Sequence, residues 1–234
     1  MKSRADRPYD RITGAAAIGF AFLIVTANLV LVPAGMPAPG APAAEAIEFF
    51  TGTTDPTGRV AFVLPAAWVL ATLFGAGALA AVLHAKRPPT AGWAYSGFAG
   101  VLLQNITFTA VVALRLAMST MSDRAGITTL WALHEALFGL NGTFLALAMA
   151  GLGTAGHLAG LLPGWHFLLG CIAAALQFTS ATLTPLILGG DTALTSIGSA
   201  GWLLWVAWLL GYGGVLLRRN RAKPPVPPVV QPGG

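Results

Sequence analysis

The chain has 234 residues, 56% of them hydrophobic and only 9% charged, with a formal net charge of +5. A water-soluble domain carries about a quarter charged residues, so this composition excludes an ordinary soluble globular protein and makes lipid the natural solvent. The basic residues cluster at both ends and in one short loop, flanking apolar runs; that is a membrane-topology signal and argues against a nucleic-acid recognition face.

A helix needs about 20 predominantly apolar residues to cross the hydrocarbon. On that criterion the sequence predicts an all-α polytopic membrane bundle in three parts. A basic cytoplasmic N-terminus covers residues 1–11, and a transmembrane domain covers 12–217. Its six spans fall at about 12–34, 60–84, 91–115, 128–150, 163–188 and 195–217, and a disordered basic, proline-rich tail follows over 218–234. The first span begins on basic residues and ends in the small-residue stretch Pro33-Ala34-Gly35-Met36-Pro37-Ala38. That pattern imitates a signal peptide, but the apolar run exceeds the usual 7–15 residues of a signal core, so an uncleaved helix is expected.

The loop after it, 35–59, is the longest. Within it Ala43, Ile47 and Phe50 fall on one helical face, with Glu45 and Glu48 elsewhere. This predicts a short amphipathic helix on the outer surface, either a lid over an outward-facing cavity or a packed connector. Asp55-Pro56-Thr57-Gly58 reads as a turn. Pro65 and Pro185 are expected to kink the second and fifth spans. Small residues at 92, 96 and 100, and at 156, 160 and 164, mark ridges where backbones approach closely. Arg218, Arg219 and Arg221 are expected to hold the tail near the inner leaflet.

Orientation follows the basic residues. With the N-terminus inside, Lys2, Arg4, Arg7, Arg11, Lys86, Arg87, Arg218, Arg219, Arg221 and Lys223 are cytoplasmic, leaving only Arg59, Arg115 and Arg124 outside. Both termini are therefore expected in the cytoplasm. Trp93 and Trp165 open spans on the inner side, and Trp131 and Trp202 sit near outer span starts, where indoles favour the interface.

Charged groups inside the hydrocarbon are costly and mark candidate sites. Glu135 lies seven residues into the fourth span, roughly 10 Å below the outer boundary, with His134 about 100° around the helix. Asn141 follows His134 two turns down the same face. In the third span Gln104 and Arg115 are eleven residues apart and share a face, and Asn105 adds an amide near mid-membrane. The short outer connection 116–127 makes the two spans antiparallel neighbours, so Arg115 can meet Glu135. One reading is a structural ion pair with amides bridging helices. The other is a polar cavity open to the outside, in which Glu135 or His134 binds a cation or relays protons.

Two further histidines, His84 and His166, close the second span and open the fifth at the cytoplasmic boundary, and such a pair could ligate a haem axially. His157 has no evident partner, and the single cysteine, Cys171, reads as a small core side chain. There is no phosphate-binding loop, zinc spacing or nucleophile elbow, and no sequence similarity between the two three-span halves.

Arg11-Ile12-Thr13-Gly14 entering the first span, His134-Glu135, and Leu161-Leu162-Pro163-Gly164-Trp165 leading into the fifth together resemble a family of uncharacterised six-span bacterial membrane proteins, a domain of unknown function of actinobacterial type. The resemblance implies six helices in a bacterial cytoplasmic membrane and assigns no residue a role. The expected function is non-enzymatic, as a transporter-like protein for a small solute or ion, or as a scaffold. The bilayer is its solvent, and a membrane-protein partner or a second copy is its expected contact. A membrane enzyme or haem-binding redox protein using His84 and His166 is the alternative.

Overall fold

The computed structural model describes residues 6–52, 56–85 and 90–219. The predicted tail from 220 onward, Lys2, Arg4, Asp55 of the expected turn and the loop pair Lys86 and Arg87 lie outside the described residues. Ten α-helices are formed among those described: α1 Asp6–Leu31, α2 Ala43–Thr51, α3 Pro56–Ala61, α4 Leu64–His84, α5 Thr90–Ser119, α6 Arg124–Leu140, α7 Gly142–Leu158, α8 Gly164–Thr182, α9 Thr184–Leu188 and α10 Thr195–Arg218. No strand occurs among them.

Local chemistry sets the boundaries. Asp123 caps α6, its carboxylate accepting the N–H groups of Ala125 and Gly126 at 3.1 and 2.9 Å, which satisfies donors left open at a helix start. Gly160, at φ +71°, ends α7 by letting Leu161 N–H turn back to the Gly156 carbonyl at 2.8 Å. Pro65 and Pro185 do not kink continuous helices. The chain breaks before each, at Phe62-Val63 and at Leu183, and each proline sits in the first turn of the helix that follows, where its missing N–H costs nothing.

Five stretches are long and apolar enough to cross a membrane: Arg11–Leu31, Pro56–His84, Thr90–Ser119, Arg124–Leu158 and Thr192–Arg218. The expected fifth span is divided instead, into α8 of 19 residues and the five-residue α9, and α8 carries His166 and Gln177 within its apolar run. The third and fourth stretches outrun their predicted limits. The 30 residues of α5 reach about 45 Å, which exceeds a hydrocarbon core of about 30 Å.

Six helices form a closed ring in the order α1, α4, α5, α7, α8, α10 and back to α1. Its centre is filled by aromatic and aliphatic side chains. Phe74 of α4 meets Trp208 and Tyr212 of α10 edge-on at 6.1 and 5.3 Å, with Met149 and Leu152 of α7 buried beside them. The outside of the ring is apolar as well: Phe22, Val69, Ile106, Leu168, Phe178 and Leu203 are all exposed. A bundle that is apolar on both faces is suited to lipid. At one end, here called the loop end, α2, α3, α6 and α9 form a cap.

The closest approach in the ring joins α5 to α7, antiparallel. A methyl group on Gly97 would fall onto the Leu152 backbone, and one on Gly100 would lie 2.5 Å from the Ala148 nitrogen. The predicted ridge therefore runs through 97 and 100; Gly92 and Ser96 are exposed. Replacing Gly97 by Val should overpack this contact and destabilise the solubilised protein by about 1–3 kcal/mol, read as a lowered thermal midpoint. The same change at Gly92, which has nothing within 4 Å, should leave the midpoint unchanged.

Candidate functional site

The site is built where α6 continues the α5–α7 packing toward the loop end. Phe138 of α6 lies 6.3 Å from Phe108 of α5. One turn further, Arg115 of α5 comes opposite His134 of α6, and its Nε–H donates to His134 Nε2 at 2.8 Å. A guanidinium can only donate, so Nε2 is the bare nitrogen and Nδ1 carries the hydrogen. That Nδ1–H donates to Glu135 Oε1 at 3.1 Å. The second carboxylate oxygen, Oε2, accepts the backbone N–H of Gly40 at 2.6 Å. Arg115 thus reaches Glu135 through an imidazole. The direct Arg115–Glu135 pair expected from the sequence is not formed, because the His134 ring stands between them.

Aromatic rings seal this chain. His134 is sandwiched on its own helix between Trp131, stacked at 4.8 Å, and Phe138, stacked at 6.0 Å. The Arg115 guanidinium lies 5.9 Å from the Phe138 ring centre, a cation–π contact. His134 is 1% exposed and Glu135 5%, and both imidazole nitrogens and both carboxylate oxygens are used within the protein. Buried polar groups need such partners. The arrangement is a clasp with His134 and Glu135 buried at its centre.

The loop 35–42 closes over it as a strap. Gly40, at φ +79°, adopts a backbone conformation that other residues rarely take. A methyl group there would lie 2.7 Å from the Ile187 carbonyl oxygen, so the strap is wedged between α6 and α9. Trp131 Nε1–H donates to the Ala41 carbonyl at 3.4 Å. Trp131 is consequently buried, 3% exposed, and is not the interfacial indole the sequence suggested. The amphipathic helix forms as α2, but its apolar face packs on α6, with Phe50 6.4 Å from Trp131 and Ala46 buried in the same cluster. It is a packed connector and does not float on a surface.

The remaining predicted residues lie apart from the clasp. Asn105 is turned toward α4, its amide donating to the Trp68 carbonyl and to Thr72 Oγ1, each at 3.1 Å. Gln104 is buried and makes no hydrogen bond among the described residues. Asn141 forms the break between α6 and α7; it is 4% exposed, and its Oδ1 is buried with no partner among the described residues. The chain places Gln177 of α8 near the same break, against Gly142, with its amide donating to the Gly198 carbonyl at 3.3 Å.

The paired histidines do not meet. His84 is exposed and its Nδ1–H donates to Ala80 at 2.6 Å, whereas His166 is buried with Nε2–H donating to the Trp208 carbonyl at 2.9 Å. Their helices, α4 and α8, are not neighbours in the ring. His157 does have partners, the Leu162 carbonyl at 3.2 Å and the Phe167 ring stacked at 4.8 Å. No group of three metal-ligating side chains occurs among the described residues.

Comparison with family models, with curated proteins and with solved structures returns no match.

Sequence reading misses the strap's part in the site, because its contacts are made by main-chain groups of Gly40 and Ala41. The Pro39-Gly40 dipeptide is the one signal that a special turn is needed there. Replacing Glu135 by Ala removes the acceptor of Gly40 and of His134 together, a loss of roughly 2 kcal/mol. The strap should then be cut faster by protease added from the loop end, with the first cleavage between residues 35 and 42.

Proposed function

We propose that the chain is a six-span integral membrane protein with both termini cytoplasmic, acting as a non-enzymatic scaffold whose outer cap is held rigid by the clasp. The fifth span in chain order, added to the five long apolar stretches, is α8 with α9. Two features support it. In the ring α8 lies between α7 and α10, so it shares their solvent. Its polarity is also inside-out, with His166 and Gln177 buried while Leu168, Ile172 and Phe178 are exposed. A water-facing helix would show the reverse. The basic asymmetry supplies the orientation, which puts the loop end outside, and the resemblance to six-span bacterial proteins makes a bacterial cytoplasmic membrane the expected location.

The observation that carries the scaffold reading is that each side-chain nitrogen and oxygen of His134 and Glu135 has a partner within the protein. A transport or proton-relay site needs a group that can exchange partners with solute or water, and His134 and Glu135 have no unused nitrogen or oxygen. What they do is fasten a loop and a short helix to α5 and α6, presenting a fixed outer surface to a membrane-protein partner or to a second copy.

A second reading, a transporter-like protein for a small solute or ion, is favoured by one observation. Asn141 keeps a buried, unpartnered acceptor at the break between α6 and α7, and irregular backbone at membrane depth is a recurrent feature of transport sites.

Reporter insertions test the topology. A periplasmic phosphatase reporter at Gly190 should be active and one at Gly160 inactive; equal activity at both would mean that α8 does not cross. Deleting 35–51 should release a co-purifying membrane partner or dissociate an oligomer on the scaffold reading. Uptake or ion flux that is lost on Asn141→Ala while the cap stays protease-resistant would favour the second.

A further inference from the structure

A groove of about 580 Å³ opens at the loop end of the ring. It is lined by Gly58, Arg59 and Ala61 of α3, by Phe62 in the break before α4, and by Leu116 of α5. Leu116 follows Arg115, whose guanidinium is engaged by His134. Arg59, by contrast, is exposed and its side chain makes no ion pair or hydrogen bond among the described residues. Phe62 is 87% exposed, more than any other large hydrophobic side chain described.

The order of these groups along the chain matters. From α3 the chain runs through the Phe62-Val63 break into α4 and the ring, which puts Phe62 on the ring side of Arg59 along the chain. Both side chains are exposed and line the same groove. A cation at the rim with an aromatic ring and a leucine below it repeats the layering of a phospholipid, with phosphate above acyl chain. The guanidinium fork matches phosphate oxygens in geometry and charge. Among the described residues the lining contains no carboxylate to meet a headgroup ammonium, so a headgroup of net negative charge is the better match.

We propose that this groove binds one anionic glycerophospholipid, with Arg59 holding the phosphate while Ala61, Phe62 and Leu116 receive the start of an acyl chain. The assignment does not rest on the scaffold reading.

Native mass spectrometry of the full chain in detergent, offered equal amounts of phosphatidylglycerol and phosphatidylcholine, tests it. The wild type should retain phosphatidylglycerol preferentially. Arg59→Gln should lower that preference about fivefold, the scale of one interfacial arginine. Arg124→Gln, which removes another exposed cation at the same end, should keep it. Excess inorganic phosphate should not displace the lipid. Equal retention of the two lipids by the wild type, an undiminished preference in Arg59→Gln, an equal loss in Arg124→Gln, or displacement by inorganic phosphate would each overturn the assignment.

Discussion

The contact on which the rest of the structure depends is the glycine-to-glycine approach of α5 and α7. With no side chain at Gly97, Gly100 or Gly151, the two backbones come close enough to fix their relative register. That register then propagates through the break at Asn141 into α6. It sets Phe108 beside Phe138, brings Arg115 to His134, and brings Met118 to Ile127 at the loop end. A shift of one residue along either helix would turn the guanidinium away from the imidazole. The polar chain, the strap held by Glu135 and the seat of α2 all follow from a packing decision made several turns away.

The second constraint is the solvent. Lipid removes the usual reward for burying apolar surface between helices, so the ring is held by close packing, aromatic edges and a few interhelical hydrogen bonds. Polar side chains are turned inward and matched there: Asn105 to α4, His166 and Gln177 to α10, Glu135 and His134 to α5 and the strap. Most of these join different helices, so the polar groups within the spans act chiefly as fasteners. Some buried polar atoms keep no partner among the described residues, among them Oδ1 of Asn105 and Asn141 and Nδ1 of His166.

The helical architecture was legible in the sequence because length and apolarity of a run are local properties. The places of Glu135, His134 and Arg115 were legible for a related reason, since a charged residue stands out in an apolar span. Their pairing was not. Helical spacing gives the face on which a side chain lies, but it does not show that an imidazole will stand between a guanidinium and a carboxylate. Gln104 and Arg115 share a face on α5, yet only Arg115 reaches the clasp, since the partner helix changes from α7 to α6 between their levels. The strap was illegible for another reason: its contacts are carried by the Gly40 N–H and the Ala41 carbonyl, which every sequence possesses. Trp131 misled because an indole near a span end is as well suited to a sealed pocket as to an interface.

The claim at the centre of this account is that Arg115 and Glu135 act on one another through His134 as one closed chain. A double-mutant cycle of Arg115→Met and Glu135→Ala on the stability of the solubilised protein measures that coupling directly. The account predicts a non-additive term between about 0.5 and 3 kcal/mol, as for residues within one hydrogen-bonded network, which vanishes when His134 is replaced by Phe. Strict additivity in the His134 background, or a coupling that survives His134→Phe, would contradict it.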